Sequence, residues 1–484
     1  MKKITLLSFA LLFIGNVVFA DVRLPKIFGN GMVLQRNQPI AVWGWADPNE
    51  SVTVSLNKQT KTITATSDGK WLVRLDAERA GGPYQLAVNG KNKLEFTDVL
   101  VGDVWICSGQ SNMEWPVSAS ANADEEIASA SYPKIRHVKI PNTVAGEPLP
   151  DIDGAVTWQE TTPANVGNFT AVGYFYAREL RNALDVPIGL INTSWGGTMV
   201  ETWTSKEAFE QDPEFAAMIA NVPELEAEAI KGKPNAYPTL LFNAMVSPLI
   251  PYTIKGAIWY QGESNAGRAY QYRKAFPLLI KDWRQRWGLG DFPFYFVQLA
   301  SFKAGGGTSA TGSTWAELRE AQTLTLSLPH TGMAVTTDIG ETDDIHPRNK
   351  QDVGKRLALV ALHDAYGKKV EYSGPVFKQF KVSGNRLTVS FDHVDGGLAA
   401  KNNATELLGF EIAGEDQQFK PAHATIKGNT VILHSDSVAK PVAVRYAWAD
   451  DAGESSLFNG IGLPAAPFRT DDWPSVTQEV KYAP

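Results

Sequence analysis

The sequence predicts an α/β protein whose mostly parallel sheet lies between two β-rich regions. Three observations lead there. From about Val101 to Gly367, short apolar runs alternate with amphipathic stretches of helical length, the pattern of βαβ units covered on both faces. Upstream, from Leu24 to Thr97, short β-type runs are punctuated by turn residues, and the same β pattern returns after Gly367. At 484 residues the chain is also too long for one ordinary core, so two or three domains are expected.

The elements follow in order. "MKKITLLSFALLFIGNVVFA" carries Lys2 and Lys3, an apolar run and small residues ending at Ala20, which predicts a signal peptide over 1–20 and export to the periplasm or beyond. No later segment has the ~18 uninterrupted apolar residues of a spanning helix. Over 21–99, "SVTVSL", "KTITATS", "WLVRLDA" and "YQLAVNG" alternate with turns such as Asp68-Gly69-Lys70 and predict an antiparallel sandwich. Over 100–368 the strands read "VWICSG", "IGLINTS", "GAIWYQG", "FPFYFVQLA" and "GMAVTTD". The helices read "VGYFYARELRNAL", "YQYRKAFPLLIKDWRQRW", "WAELREAQTLTLSL" and "NKQDVGKRLALVALHDAYG". "RLTVSF", "TVILHS" and "AVRYAW" mark a second β domain over 369–484.

Composition removes several function classes. A net charge of −7 without a Lys/Arg cluster argues against nucleic acid. Cys107 is the one cysteine, so no intrachain disulfide forms, and its place inside an apolar strand marks a buried, inert thiol. No HExxH and no strong ligand spacing appear, so neither a metal nor another cofactor is expected. The oligomeric state is not legible.

Ligands of an open α/β sheet bind beyond the carboxyl ends of its strands, so the residues there carry the functional signal. "VWIC" is followed by Ser108-Gly109-Gln110-Ser111-Asn112, and "GLINTS" by Trp195-Gly196-Gly197-Thr198. "AIWY" is followed by Gln261-Gly262-Glu263-Ser264-Asn265, and "MAVTTD" by a loop holding Asp343, Asp344 and His346. A hydroxyl, paired glycines, amides and an Asp/His cluster are the parts of an acyl-transfer site. Ser111 is the candidate nucleophile and His346 its base. Asp343 is the orienting acid by its spacing, with Asp344 as the alternative. Candidate oxyanion donors are the backbone N–H groups of Ser111 and of Gly196 or Gly197, and the amide of Gln261, with Asn265 in reserve. Taken singly, each piece is also a common turn or cap; their coincidence at successive strand ends favours a site.

The stretches "GDVWICSGQSNMEWP", "INTSWGGT", "WYQGESN" and "DIHPRNKQDVG" resemble the SGNH/GDSL hydrolase superfamily, and more closely its sialate O-acetylesterase branch, which is similar to some acetylxylan esterases. "LPKIFGNGMVLQRNQPIAVWGWADP" also looks like that branch's opening β region, so the likeness spans nearly the whole mature chain. It implies a flavodoxin-like core, Ser111 and His346 in catalysis, and deacetylation of sugars. The chain departs from the superfamily at Ser264, where an asparagine donor is usual; this favours Gln261. The usual acid position selects Asp343, whereas the "DIHP" motif itself contains Asp344. Gly-x-Ser-x-Gly is absent because Met113 stands at its second glycine. The expected partner is an O-acetylated sugar. A sialic acid carboxylate would be met by Arg268 or Arg348, and a neutral acetylxylan by Trp115, Trp195 or Trp203 as stacking platforms. A sugar-binding protein without activity is the competing reading, and both the serine and the histidine stand against it.

Overall fold

The computed structural model of the protein describes residues 21–220 and 237–482; the expected signal segment lies outside them. Its central feature is one long strand, Lys93–Gly109 (β1). The first half of β1 is alternately exposed and pairs antiparallel with Gly81–Asn89 of the N-terminal region. The second half, from Val99 on, is fully buried and forms the middle of the large sheet. The boundary expected at 99/100 therefore falls inside a continuous strand.

The large sheet is mixed, with a parallel centre. Besides β1 it contains Tyr132–Lys139 (β2), Ile188–Ser194 (β3), Gly256–Tyr260 (β4), Phe294–Val297 (β5) and Thr331–Ala334 (β6), in the spatial order β6-β5-β4-β1-β3-β2. Leaving out β2, the remaining strands stand in the doubly wound order 2-1-3-4-5, with β1 at the switch point. The β3, β4 and β5 strands and the second half of β1 are buried throughout, mostly by aliphatic and aromatic side chains, because both sheet faces are covered. Ala171–Leu184 (α1) and Lys350–Asp364 (α4) pack together on one face. Ala269–Trp287 (α2) and Thr314–Thr325 (α3) pack together on the other. All four match stretches read as helices.

The strand β2, and the short Gln159–Thr161 paired antiparallel to it, have no counterpart in the sequence reading. "YPKIRHVK" hides its strand character behind Pro133 and four basic or imidazole side chains. Their partners come from other elements: Arg136 is held by Asp98 at 2.6 Å, and the His137 ring stacks on Phe169 at 4.3 Å.

The β regions contain the expected runs. Ser51–Leu56, Gln59–Thr64 and Gly81–Asn89 form antiparallel pairs, and Ile40–Trp45 pairs with Lys70–Leu75. Buried side chains of both sheets share one apolar cluster with a face of the large sheet. In the C-terminal region two four-stranded antiparallel sheets cover a separate core that includes Leu387, Val389, Phe410, Ile412, Val431 and Tyr446. Cys107 is fully buried in β1, and burial pushes its thiol well above the usual range.

Arg319 of α3 fastens this C-terminal region to the sheet. Its guanidinium is fully buried and donates to the carbonyls of Leu299 and Ala300 beyond β5 and of Ala449 and Asp450 in the C-terminal region, at 2.7–2.9 Å. Arg319→Met keeps the stem but strips donors from four carbonyls. It is expected to lower stability by about 3 kcal/mol, read as a fall in the urea midpoint, because bonds from a charged donor are worth roughly 1.5–3 kcal/mol. An unchanged midpoint would mean that the latch is dispensable.

Candidate active site

The strand ends converge where β1 and β4 stop. Gly109 has φ +129°, and a Cβ there would lie 2.2 Å from the Tyr260 carbonyl oxygen, so this crossing admits only glycine. The Gln110 N–H donates to the same carbonyl at 2.9 Å, and the chain then turns into the single-turn helix Ser111–Glu114. Ser111 thus stands at the top of the sheet, at the start of a helical turn whose first N–H groups have no intrahelical acceptor.

His346 meets it across 235 positions of sequence: Nε2 lies 2.8 Å from Ser111 Oγ. The imidazole is fixed by stacking on Trp115, with ring centroids 4.8 Å apart and planes 15° from parallel. Burial lowers its pKa below the ordinary 6.5, the nearby Lys350 ammonium lowers it further, and Asp344 opposes them.

The acid comes out differently from the spacing argument. Asp343 is exposed and makes no described bond to the ring. Asp344 Oδ1 lies 3.9 Å from His346 Nδ1, beyond direct hydrogen-bond reach, and accepts the backbone N–H of His346 at 2.8 Å. Asp344 is therefore the carboxylate nearer the base, because its side chain folds back over its own loop while Asp343 faces solvent.

Gln261 and Asn265, the candidate amide donors, lie in a buried network. Both are buried, and their amides are spent on each other and on the neighbouring loop. Gln261 Nε2 donates to Asn265 Oδ1 at 2.7 Å and to the Thr198 carbonyl at 3.1 Å, while its oxygen accepts from Tyr272. Asn265 Nδ2 donates to Glu201 at 2.9 Å. Both N–H groups of Gln261 are engaged and one of Asn265's is; together the two amides tie the loop after β3 to the loop after β4. Gly196 is adjacent to the serine, since a Cβ on it would sit 3.2 Å from Ser111 Cβ. Its N–H donates to Glu114 Oε2 at 2.6 Å. Gly197 is exposed, with φ +73°.

The candidate sugar contacts divide. Trp203 is fully buried, with its indole N–H on Thr198 Oγ1 at 3.0 Å, so it is core. Arg268 is committed to buried Glu201 at 2.9 Å. Trp115 spends one face on His346. Trp195 is partly exposed beside Gly196, and Arg348 is exposed. A cavity of about 680 Å³ opens beside Trp115, bordered by Ser118, Ser120, Asn122, Asp124, Glu125 and Arg348. Among the described residues no group of three or more His, Cys, Asp or Glu side chains is arranged to hold a metal ion.

Three residues with no expected role at this site stand directly behind it. The Asn112 amide, Glu263 and Lys350 are hydrogen-bonded in a chain. The only sequence signals were Asn112 beside Ser111 and Lys350 four places after His346; Glu263 reads simply as a helix cap.

The family described as "Carbohydrate esterase, sialic acid-specific acetylesterase" matches residues 101–363. The sialate O-acetylesterase of Rattus norvegicus is 35% identical over 517 residues, covering 92% of this chain and 94% of the relative. That of Homo sapiens is 33% identical, covering 92% of each. The crystal structure of a carbohydrate acetylesterase from Xanthomonas citri is 45% identical with a TM-score of 0.87, covering 93% of this chain and 100% of that one. With the likeness running through both β regions as well as the sheet, this chain belongs to the sialate O-acetylesterase family of carbohydrate esterases and is an esterase.

Proposed function

We propose that the chain is an exported sialate O-acetylesterase with an SGNH-type core, working through a serine nucleophile and an acetyl-enzyme. The observation that carries the mechanism is the 2.8 Å contact between Ser111 Oγ and His346 Nε2. His346 Nε2 takes the hydroxyl proton as Oγ attacks the acetyl carbonyl, and the carbonyl electrons move to its oxygen. The imidazolium returns that proton to the sugar oxygen as the ester C–O bond breaks. Water, deprotonated by the same nitrogen, then releases acetate and restores Ser111. The Ser111 N–H is the first oxyanion donor; the Gly196 N–H joins it when Glu114 gives way.

Export rests on the first twenty residues; among the described residues, no helix is long and apolar enough to cross a membrane. For the sugar, the sialate reading rests on the family; Arg348 is the exposed cation of the two considered and stands on the cavity beside Trp115, where a sugar carboxylate would meet it across a lining that also holds Asp124 and Glu125. The acetylxylan reading would use Trp195 and the face of Trp115 that His346 leaves uncovered. Acetate release from O-acetylated sialic acid, compared with acetylated xylan, separates the two; preference for xylan would overturn the sialate reading.

Ser111→Ala is expected to abolish acetate release without a change in melting temperature, since a half-exposed hydroxyl contributes little packing. Near wild-type turnover on any acetyl ester would remove Ser111 from the mechanism.

The base must be unprotonated to accept the serine proton. With its pKa held below 6.5, it stays neutral to lower pH than an ordinary histidine, so the acid limb of kcat/KM is expected below pH 6.5. Asp344→Asn removes the charge that raises the imidazole and is expected to move the limb further down. Asp343→Asn should leave it in place. A limb that shifts only with Asp343 would return the acid role to that residue.

A further inference from the structure

The carboxylate nearest His346 is too far from Nδ1 to hold the ring directly, and its side chain is 43% exposed. Something else must fix the base against the nucleophile. Stacking on Trp115 sets the ring plane but not the distance from Nε2 to the serine. The tie that reaches the turn of the nucleophile itself is Asn112, the residue after Ser111, whose Nδ2 donates at 2.9 Å to the carbonyl of Ile345, the residue before His346; the Ala121 N–H, on the Arg348 carbonyl at 2.7 Å, holds the loop farther on. One hydrogen bond therefore joins the backbone neighbours of the two reacting side chains.

That amide is itself clamped. Its second N–H donates to Glu263 Oε1 at 2.6 Å, and its oxygen accepts from Lys350 Nζ at 2.5 Å. The orientation is determined chemically. An ammonium has only donors, so it faces the amide oxygen; a backbone carbonyl and a carboxylate accept, so they face the nitrogen. Asn112 is 1% exposed and Lys350 fully buried, while Glu263 Oε2 is buried without a partner among the described residues. Burial lowers Lys350 to about 7 and raises Glu263, so both charges depend on the amide between them. Glu263 comes from the loop after β4, Lys350 from the start of α4 and Asn112 from the turn after β1, so three parts of the site meet on one side chain.

We propose that Asn112 is a positioning residue that sets the distance between Ser111 and His346, and that Glu263 and Lys350 act through its amide. This rests on the reading of Ser111 and His346 as nucleophile and base.

The test uses the full chain and a small acetyl ester, which offers no sugar to hold. Asn112→Asp keeps the volume and the oxygen that Lys350 meets but has no N–H for Ile345. It is expected to lower kcat by ~100-fold, the cost of a reacting pair misplaced by about an ångström, with KM little changed. Glu263→Ala alone should lower kcat in the same direction, and added to Asn112→Asp it should cost nothing more, because residues acting through one another are not additive. If Asn112→Asp does not fold, Lys350→Met supplies the reading: it packs the buried stem, removes the ammonium, and should show the same fall in kcat at unchanged KM. A folded Asn112→Asp or Lys350→Met enzyme with wild-type kcat would overturn the proposal. Losses that multiply in the double variant would overturn the claim that Glu263 works through the amide. Activity retained by Ser111→Ala would instead strike the nucleophile reading, and is measured separately.

Discussion

The reactive end of this molecule depends on one close approach of two backbones, at Gly109 and Tyr260. A side chain at 109 would collide with the carbonyl that the Gln110 N–H uses. With glycine there, β1 and β4 run in register to their last residues and release their loops at the same height. Ser111, the turn behind it and the Gln261–Asn265 loop then share one small volume. The long β1 strand adds rigidity from below, because its first half is locked into the N-terminal sheet.

How much of this was legible in the sequence depends on which partner a residue uses. Strands buried by apolar side chains, such as β1, β3 and β4, announce themselves, and so do the helices whose apolar stripe faces the sheet. β2 does not, because its buried Arg136 and His137 look like surface until Asp98 and Phe169 are placed beside them. At the site the order of chemical groups along the strand ends pointed to Ser111 and His346 as candidates, and the fold brings their side chains within 2.8 Å. The partners of the amides were hidden for the same reason that β2 was missed. Gln261 and Asn265 look like donors facing a ligand, yet their acceptors are Thr198, Asn265 itself and Glu201, contributed in part by a loop some sixty positions away. Spacing along one loop also could not tell Asp343 from Asp344, because that choice depends on which way each side chain folds.

The buried polar network under the β3 and β4 loops has a structural logic of its own. Glu201 is almost fully buried and would be costly as a lone carboxylate. Arg268 and Asn265 both donate to it, Gln261 supports Asn265, and Tyr272 supports Gln261. Such a chain holds Gly196 and Trp195 at a fixed place beside the nucleophile without itself touching the reacting atoms.

In the proposed mechanism, the charge around His346 suits a base that must gain a proton and then give it back. Lys350 on one side and burial hold the imidazole neutral at rest, which keeps Nε2 available to the Ser111 proton. Asp344 on the other side acts in the opposite sense, and its carboxylate stabilises the imidazolium once it forms. A carboxylate bonded tightly to Nδ1 would favour the charged ring throughout the cycle. One at 3.9 Å, partly in water, supports it more weakly, and the proton passes more readily to the departing sugar oxygen. On this reading the Trp115 stack and the Asn112 amide do the orienting that a close carboxylate performs elsewhere, and Lys350 takes part in both tasks, holding the amide and biasing the charge of the ring.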